Sequence, residues 1–291
     1  MLRLVLPKGS LEAQTLRLFE RADLQVRRGS DRDYHGTIDD ERVERVSILR
    51  PQEIPPYVQD GSFDVGITGE DWIAETGAAV EVLTSLTYAK TGTGHGTRVV
   101  LAVPKDHPAN SAAAIPPGTR ISTEFVGLTE RYFAGLGIDV RVIWSYGATE
   151  AKVPEIVDAI VDVTETGSTL RAHGMKIIET LLTSDPVLIA NPIAAADPAK
   201  RAAMDDLVTL LRGALEAEGR VLIKLNVAAE HLDGVLAVVP SMKAPTVSSL
   251  SEGGFAIETV VDKRGVNRLL PELKAAGATD ILELPISKII P

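Results

Sequence analysis

The chain opens on a short apolar run, Leu2-Arg3-Leu4-Val5-Leu6, then Pro7-Lys8-Gly9-Ser10, then apolar positions at Leu11, Leu18, Phe19 and Ala22 with helical spacing. This pattern predicts strand, turn and helix, with Ser10 as the N-cap. A polar, hairpin-like stretch from Arg27 to Val46 leads into Ile48-Leu49-Arg50-Pro51-Gln52-Glu53-Ile54-Pro55, where two prolines confine the backbone around Arg50. Phe63 to Gly69 reads as a buried strand ending in glycine, and Glu70, Asp71 and Trp72 open the helix after it. The glycine-rich run from Thr91 to Gly96, with His95 in it, is a loop that either closes over a ligand or is disordered. Beyond it, strands at Arg98 to Val103, Arg120 to Thr123, Val140 to Trp144 and Ala159 to Val163 alternate with helices over Leu128 to Leu136, from Thr149 and from Leu170. Such alternation predicts parallel sheets flanked by helices.

After Asn191-Pro192 a long amphipathic helix is expected from Asp197 to Gly219. The pattern then changes to strand (Val221 to Val227), helix (Glu230 to Leu236), strands (Thr246 to Leu250 and Phe255 to Val261), helix (Val266 to Ala276) and strand (Asp280 to Leu284). That order is βαββαβ, the ferredoxin-like arrangement. A chain of 291 residues accommodates two domains or three small ones.

Composition narrows the possibilities. Hydrophobic residues make up 45% and charged residues 24%, and no apolar run approaches the roughly 20 residues that span a bilayer, so no membrane association is expected. The N-terminus lacks the apolar core of an export signal and there is no cysteine, so a cytoplasmic protein is expected. A net charge of -10 without a Lys/Arg cluster argues against nucleic acid as a partner but leaves small phosphorylated ligands open, since backbone amides and a few placed cations suffice for them. The five histidines show no metal-ligand spacing, so the sequence identifies no metal ligand.

The sharpest chemical signal runs from Asp158 to Leu170, Asp-Ala-Ile-Val-Asp-Val-Thr-Glu-Thr-Gly-Ser-Thr-Leu. An apolar strand enters a hydroxyl-rich turn with one glycine and then a helix, so the amides of Gly167, Ser168 and Thr169 would point at one spot suited to a phosphate monoester. Asp158 and Asp162, four residues apart, share a strand face and could accept hydrogen bonds from a neighbouring diol. The alternative is an ordinary helix start capped by Thr and Ser. No Walker lysine follows, which excludes a nucleoside triphosphatase loop.

That segment, extended to Thr180, together with LPKG, LRPQEIP, DVGITG, TEFVGLTERYF and GATEAK, resembles the ATP phosphoribosyltransferase family, and APTVSSL and GATDILELPISKII resemble the C-terminal domain of its long form. The resemblance implies two α/β lobes like those of type II periplasmic binding proteins, lobe I from 1–88 and 187–214 and lobe II from 89–186, followed by an ACT-like ferredoxin domain at 215–291. It implies that N1 of the ATP adenine attacks C1 of phosphoribosyl pyrophosphate, with Mg²⁺ as cofactor, histidine as feedback inhibitor and a homo-oligomer from dimer to hexamer as the working state.

By position, Thr166, Gly167, Ser168, Thr169 and Leu170 with Glu165 would hold the sugar phosphate, and Asp162 with Asp158 the ribose hydroxyls. Lys8 and Arg50 would face the pyrophosphate, making Lys8, Arg50 and Asp162 the catalytic set. Gly147, Thr149 and Glu150, with Asp64, Thr68 and Gly69, would hold ATP, and Ala244, Pro245 and Thr246 would hold histidine. Many members carry arginine where this chain has Ser10, and Lys152 is the possible substitute. Two other readings remain open at this point: a two-lobed binding protein without catalysis, and a phosphoribosyltransferase acting on another base.

Overall fold

Strand β1 (Leu2–Pro7) is buried along almost its whole length, which is why its sequence is continuously apolar except at Arg3. The computed structural model describes residues 1–30, 33–86, 97–240, 242 and 244–290. After β1 come α1 (Glu12–Arg21), β2 (His35–Gly36), β3 (Val43–Leu49), α2 (Ile54–Gln59), β4 (Val65–Gly69), α3 (Glu70–Thr76) and β5 (Glu81–Ser85). The expected Ser10 cap is not made. Leu11 occupies the capping position without a side-chain bond, and the Glu12 carboxylate accepts the Gly9 amide at 3.2 Å instead, while also receiving Arg28 at 2.8 Å.

The chain continues through β6 (Thr97–Pro104), β7 (Arg120–Thr123), α4 (Val126–Gly135), β8 (Arg141–Trp144), β9 (Ala159–Thr164), the short α5 (Ser168–Ala172) and β10 (Met175–Ser184). It returns with β11 (Pro186–Ala190) and continues into α6 (Pro192–Ala196) and α7 (Pro198–Ala217). The first sheet has the order β2-β3-β1-β4-β11-β5 and the second β10-β6-β9-β7-β8, so β11 rejoins the first lobe.

Both sheets are mixed, not parallel as expected: β11 runs antiparallel to β4 and β5, and β6 runs antiparallel to β9 and β10. The helix expected from Thr149 is a single 3₁₀ turn, Thr149–Lys152, and the one expected from Leu170 ends at Ala172. Beyond it the apolar doublets Ile177-Ile178 and Leu181-Leu182 mimic helical spacing, yet they lie in β10. Register shifts between Ile177 and Glu179 and between Thr180 and Leu182 each insert an extra residue, which breaks the period of two.

The second lobe is held by a core on one sheet face that includes Val99, Leu101, Ile121, Phe125 and Phe133, and on the other by Val100, Ile160, Leu170 and Met175. The two lobes meet where α3 faces α4. Trp72 stacks on Phe125 with ring centroids 4.6 Å apart, and the Glu75 carboxylate accepts the amides of Gly127 at 3.0 Å and Leu128 at 2.8 Å. In return the Arg131 guanidinium donates to the Ala74 and Glu75 carbonyls. Each helix end thereby satisfies orphan groups of the other.

The chain divides into two units, Met1–Val208 and Thr209–Pro291, with the boundary inside α7. In the second unit, β12 (Arg220–Val227), α8 (Leu232–Val238), β13 (Thr246–Ser249), β14 (Phe255–Asp262), α9 (Val266–Ala275) and β15 (Ala278–Pro285) form an antiparallel sheet of order β13-β14-β12-β15. This is the expected ferredoxin-like topology. Strand β12 alternates buried and half-buried residues, as a sheet with a single helix-covered face requires. The end of α7 belongs here because the Ile289 amide donates to the Gly213 carbonyl at 2.9 Å.

Candidate active site

A cleft of about 450 Å³ opens between the lobes. One wall comes from lobe I: Ser10, Leu11 and Gln14, the Pro51-Gln52 turn after β3, Gly69 at the end of β4, Asp71 and Trp72 of α3, and the Ser184-Asp185-Pro186 return crossing. The other comes from lobe II: Thr97, Glu124 and Phe125 after β7, and Asp162 to Glu165 at the end of β9. Carboxyl ends of parallel strands are where open α/β sheets bind ligands, because chain crossings leave a crevice there.

On the lobe I wall, Gly69 has to lack a side chain: a Cβ there would lie 2.0 Å from Asp71 Oδ1. The Asp71 carboxylate folds into that space, accepts the Trp72 amide at 2.9 Å and is pushed above the usual carboxylate range by burial. Its backbone amide donates to the Ser184 hydroxyl at 3.0 Å, joining α3 to the return crossing. Thr68 is fully buried, and its hydroxyl donates to the Pro51 carbonyl at 2.9 Å, so it pins the Pro51-Gln52 turn without facing the cleft.

Across the cleft, Asp162 accepts the Val163 amide at 2.7 Å. Burial raises its carboxyl above the ordinary range, and the charges of Glu150 and Glu124 add to the rise. The loop after it is closed on itself: the Gly167 amide donates to Thr164 Oγ1 at 2.8 Å, the Ser168 amide to Thr166 Oγ1 at 3.3 Å, and the Thr166 and Ser168 hydroxyls lie 2.9 Å apart. Gly167 adopts a left-handed φ of 72° that permits this turn, and Thr166, Ser168 and Thr169 are exposed. Two of the amides expected to aim at a phosphate are therefore capped by hydroxyls, which a phosphate oxygen can replace.

Beside this loop, Ser145, Thr149 and Lys152 form a network. Ser145 Oγ lies 2.9 Å from Thr149 Oγ1, and Lys152 Nζ donates to Ser145 at 2.5 Å and to the buried Ser122 at 3.5 Å. It fixes a turn in which Gly147 and Ala148 both have positive φ, and Glu150 faces His173 at 3.9 Å. On lobe I, the Lys8 amide donates to the Leu49 carbonyl at 2.7 Å, and the register pairs Pro7 with Leu49, so Lys8 and Arg50 sit side by side at the ends of β1 and β3. Lys8 Nζ lies 4.1 Å over the Tyr34 ring, and Arg50 is exposed.

Lys8, Arg50, Gly147, Thr149, Glu150 and residues 166–170 are not themselves part of the cleft lining, and Asp64 and Asp158 lie at the far ends of the sheets. Asp64 precedes β4, where Arg3 holds it through its backbone amide at 2.8 Å and its side chain at 3.1 Å, and Lys200 binds it at 2.7 Å. Asp158 precedes β9, where Arg120 holds it in the same way at 2.8 and 2.7 Å. Four residues along a strand separate Asp158 from Asp162 by roughly 13 Å, so sharing a face did not bring them to one ligand. Asp64 and Asp158 are thus matching clamps at the opposite ends of the two sheets. Within the second unit, Ala244, Pro245 and Thr246 lead into edge strand β13, with Ala244 and Thr246 exposed. His95 and its glycine-rich neighbours lie outside the described residues.

A family model described as ATP phosphoribosyltransferase matches residues 50–213, and one described as HisG, C-terminal domain, matches residues 217–288. The ATP phosphoribosyltransferase of Desulforudis audaxviator is 46% identical over 293 residues, covering 100% of this chain and 99% of that protein. That of Koribacter versatilis is 45% identical over 290 residues, covering 99% of each. Among solved structures, a chain of the ATP phosphoribosyl transferase (HisG:HisZ) complex from Thermotoga maritima superposes with a TM-score of 0.63 at 26% identity, covering 75% of this chain and all of that one.

The chain belongs to the ATP phosphoribosyltransferase family. The motif strings of this family are legible in the sequence, and so is Gly69 on the lobe I wall, but the local pattern does not mark Gln52, Ser184 and Asp185 as cleft-lining residues and marks Asp71 and Trp72 only as helix openers. The signal for Asp71 and Trp72 was present, since a helix starting directly after a strand-ending glycine exposes its first residues to the crevice. Nothing in the local pattern flagged Asp185, because its position depends on where β11 re-enters the first sheet.

Proposed function

We propose that the protein transfers the phosphoribosyl group of phosphoribosyl pyrophosphate to N1 of the adenine of ATP, releasing pyrophosphate, as the first step of histidine biosynthesis. The observation that carries this reading is that Asp162 and the first residues of the hydroxyl-rich loop, Thr164 and Glu165, line one wall of a cleft in a chain of this family. The lone pair of N1 forms the new bond to C1 of the ribose while the bond to the pyrophosphate oxygen breaks and its electrons leave with that group. A neutral ring nitrogen needs no strong base, so the protein has to align the two reactants and balance charge.

In this reading Thr166 to Thr169 exchange their internal hydrogen bonds for the sugar phosphate, Leu170 anchors the loop in the lobe II core, and Asp162 accepts the ribose hydroxyls and faces positive charge developing at C1. Lys8 and Arg50 approach the pyrophosphate from lobe I. The network of Lys152, Ser145 and Thr149 holds the Gly147 turn against the nucleotide and supplies a cation that Ser10 does not.

Among the described residues, five carboxylates (Asp71, Glu124, Asp162, Glu165 and Asp185) and no lysine or arginine line the cleft itself, Lys8 and Arg50 standing just before its Ser10 and Pro51. Among the described residues no three potential ligands are grouped to hold a metal by themselves. This donor set fits Mg²⁺, which is commonly held by one or two carboxylates plus substrate phosphates, and Glu124 and Glu165 would hold it together with phosphate oxygens of the substrates. When bound, it would neutralise the departing pyrophosphate.

Histidine inhibition through the ferredoxin-like unit, near Ala244 to Thr246, and a homo-oligomer from dimer to hexamer belong to the same proposal. So does a cytoplasmic location, consistent with no described helix being long and apolar enough to cross a membrane. Incubating the full chain with ATP, phosphoribosyl pyrophosphate and Mg²⁺ should release pyrophosphate, and added histidine should slow that release. Nucleotide binding without pyrophosphate release would overturn the transferase reading, and release indifferent to histidine would overturn the inhibitory one.

A further inference from the structure

Among the described residues, two side-chain polar atoms are buried without a hydrogen-bond partner, Gln52 Oε1 and Asp185 Oδ1, and both residues line the lobe I wall of the cleft. Buried acceptors are nearly always satisfied in folded proteins, and leaving one empty is costly, so two in one cleft mark a place where a ligand supplies the donors. The other carboxylates of the lining differ. Asp71 already accepts the Trp72 amide and Asp162 the Val163 amide, while Glu124 and Glu165 are exposed to water.

Both acceptors stand on pinned backbone. The Gln52 turn is tied down by the Thr68 hydroxyl bond to the Pro51 carbonyl at 2.9 Å. Asp185 is held on both sides by Glu70: its amide donates to the Glu70 carboxylate at 3.1 Å, and its carbonyl accepts the Glu70 amide at 3.1 Å. The same cleft is lined by Trp72 and Phe125, a stacked aromatic pair beside which a flat ring can lie.

An aromatic amine is a flat ligand that carries a two-hydrogen donor. We propose that Gln52 and Asp185 are the seat of the exocyclic 6-amino group of the acceptor purine and set adenine apart from 6-oxopurines, an inference that rests on the transferase reading above. A 6-oxopurine presents a carbonyl oxygen there, which would face two acceptors. The seat also bears on the chemistry: as the N1 lone pair bonds to C1, positive charge spreads over N1, C6 and the amine nitrogen, and a carboxylate against that amine stabilises it without taking a proton.

The test compares ATP with purine riboside 5′-triphosphate, which carries hydrogen in place of the amine. Binding of each to the full-length protein with Mg²⁺ is measured by calorimetry, alongside pyrophosphate release. Wild type should bind the des-amino nucleotide at least about tenfold more weakly than ATP. That ratio should fall towards one in Gln52→Met and in Asp185→Ala, and Gln52→Glu, which keeps an acceptor, should preserve it.

Equal affinities in wild type, or a ratio unchanged in the folded variants, would overturn the seat. If Asp185→Ala does not fold, Gln52→Met with its Glu control decides the matter alone. A wild-type protein that releases no pyrophosphate removes the transferase reading instead, so the two failures are separable.

Discussion

Arg3 and Asp64 are joined through both the backbone amide and the guanidinium of the arginine, at 2.8 Å and 3.1 Å, which locks β1 to the entrance of β4. Burial works against the Asp64 charge, but the hydrogen bonds from Arg3 and Lys200 outweigh it and hold the carboxyl at about 2, below its ordinary 3.8. A folded pKa below the unfolded one gives stability that is present above about pH 4 and lost as pH falls through the folded value. Asp64→Asn should therefore lower stability at neutral pH by about 1.5–3 kcal/mol and flatten the loss between about pH 4 and pH 2. Chemical denaturation across that range checks both parts, and parallel curves for variant and wild type would count against this linkage.

Asp162 carries the opposite sign. Burial raises its carboxyl, so its contribution favours folding below the unfolded pKa and is lost as pH rises through the folded one. At neutral pH the ionised group is thus a burden on the fold. Asp162→Asn should raise the melting temperature slightly while lowering turnover by at least about 100-fold. Calorimetric melting and a pyrophosphate assay on the same preparation are the measurements, and a destabilised variant of normal activity would contradict both halves.

Gly167 sits at a left-handed φ of 72°, and a Cβ there would come 2.9 Å from Ile177 Cδ1 and 3.0 Å from Arg171 Nη1. Gly167→Ala should disorganise the loop, weakening phosphoribosyl pyrophosphate binding by about tenfold or more and leaving ATP affinity close to wild type. Separate titrations of the two substrates distinguish this local effect from general unfolding.

The reciprocal caps between α3 and α4 predict a coupled pair. Glu75→Ala and Arg131→Ala should each cost about 0.5–2 kcal/mol, and the double variant should cost less than the sum, because each side chain holds the helix that presents the other. A double-mutant cycle by urea unfolding gives the answer; strict additivity would mean that the two caps act independently.

Much of this architecture was legible in the chain because its motifs are local. The strand into Gly69, the 158–170 segment and the βαββαβ order each depend on spacing within about ten residues. What stayed hidden depends on distant pairing. Asp158 reads like a partner for Asp162 until Arg120, on a neighbouring strand, claims it. Strand β10 reads as helix because two extra residues in its ladder disguise the alternation. Asp185 gains meaning only when Pro186 pairs with Gly69.

The crossing at Ser184-Asp185-Pro186 is at once a tether between the lobes and part of the cleft wall. A molecule seated against it would press on the same short stretch that joins the halves. A substitution meant to retune affinity here would therefore alter the join between the lobes as well.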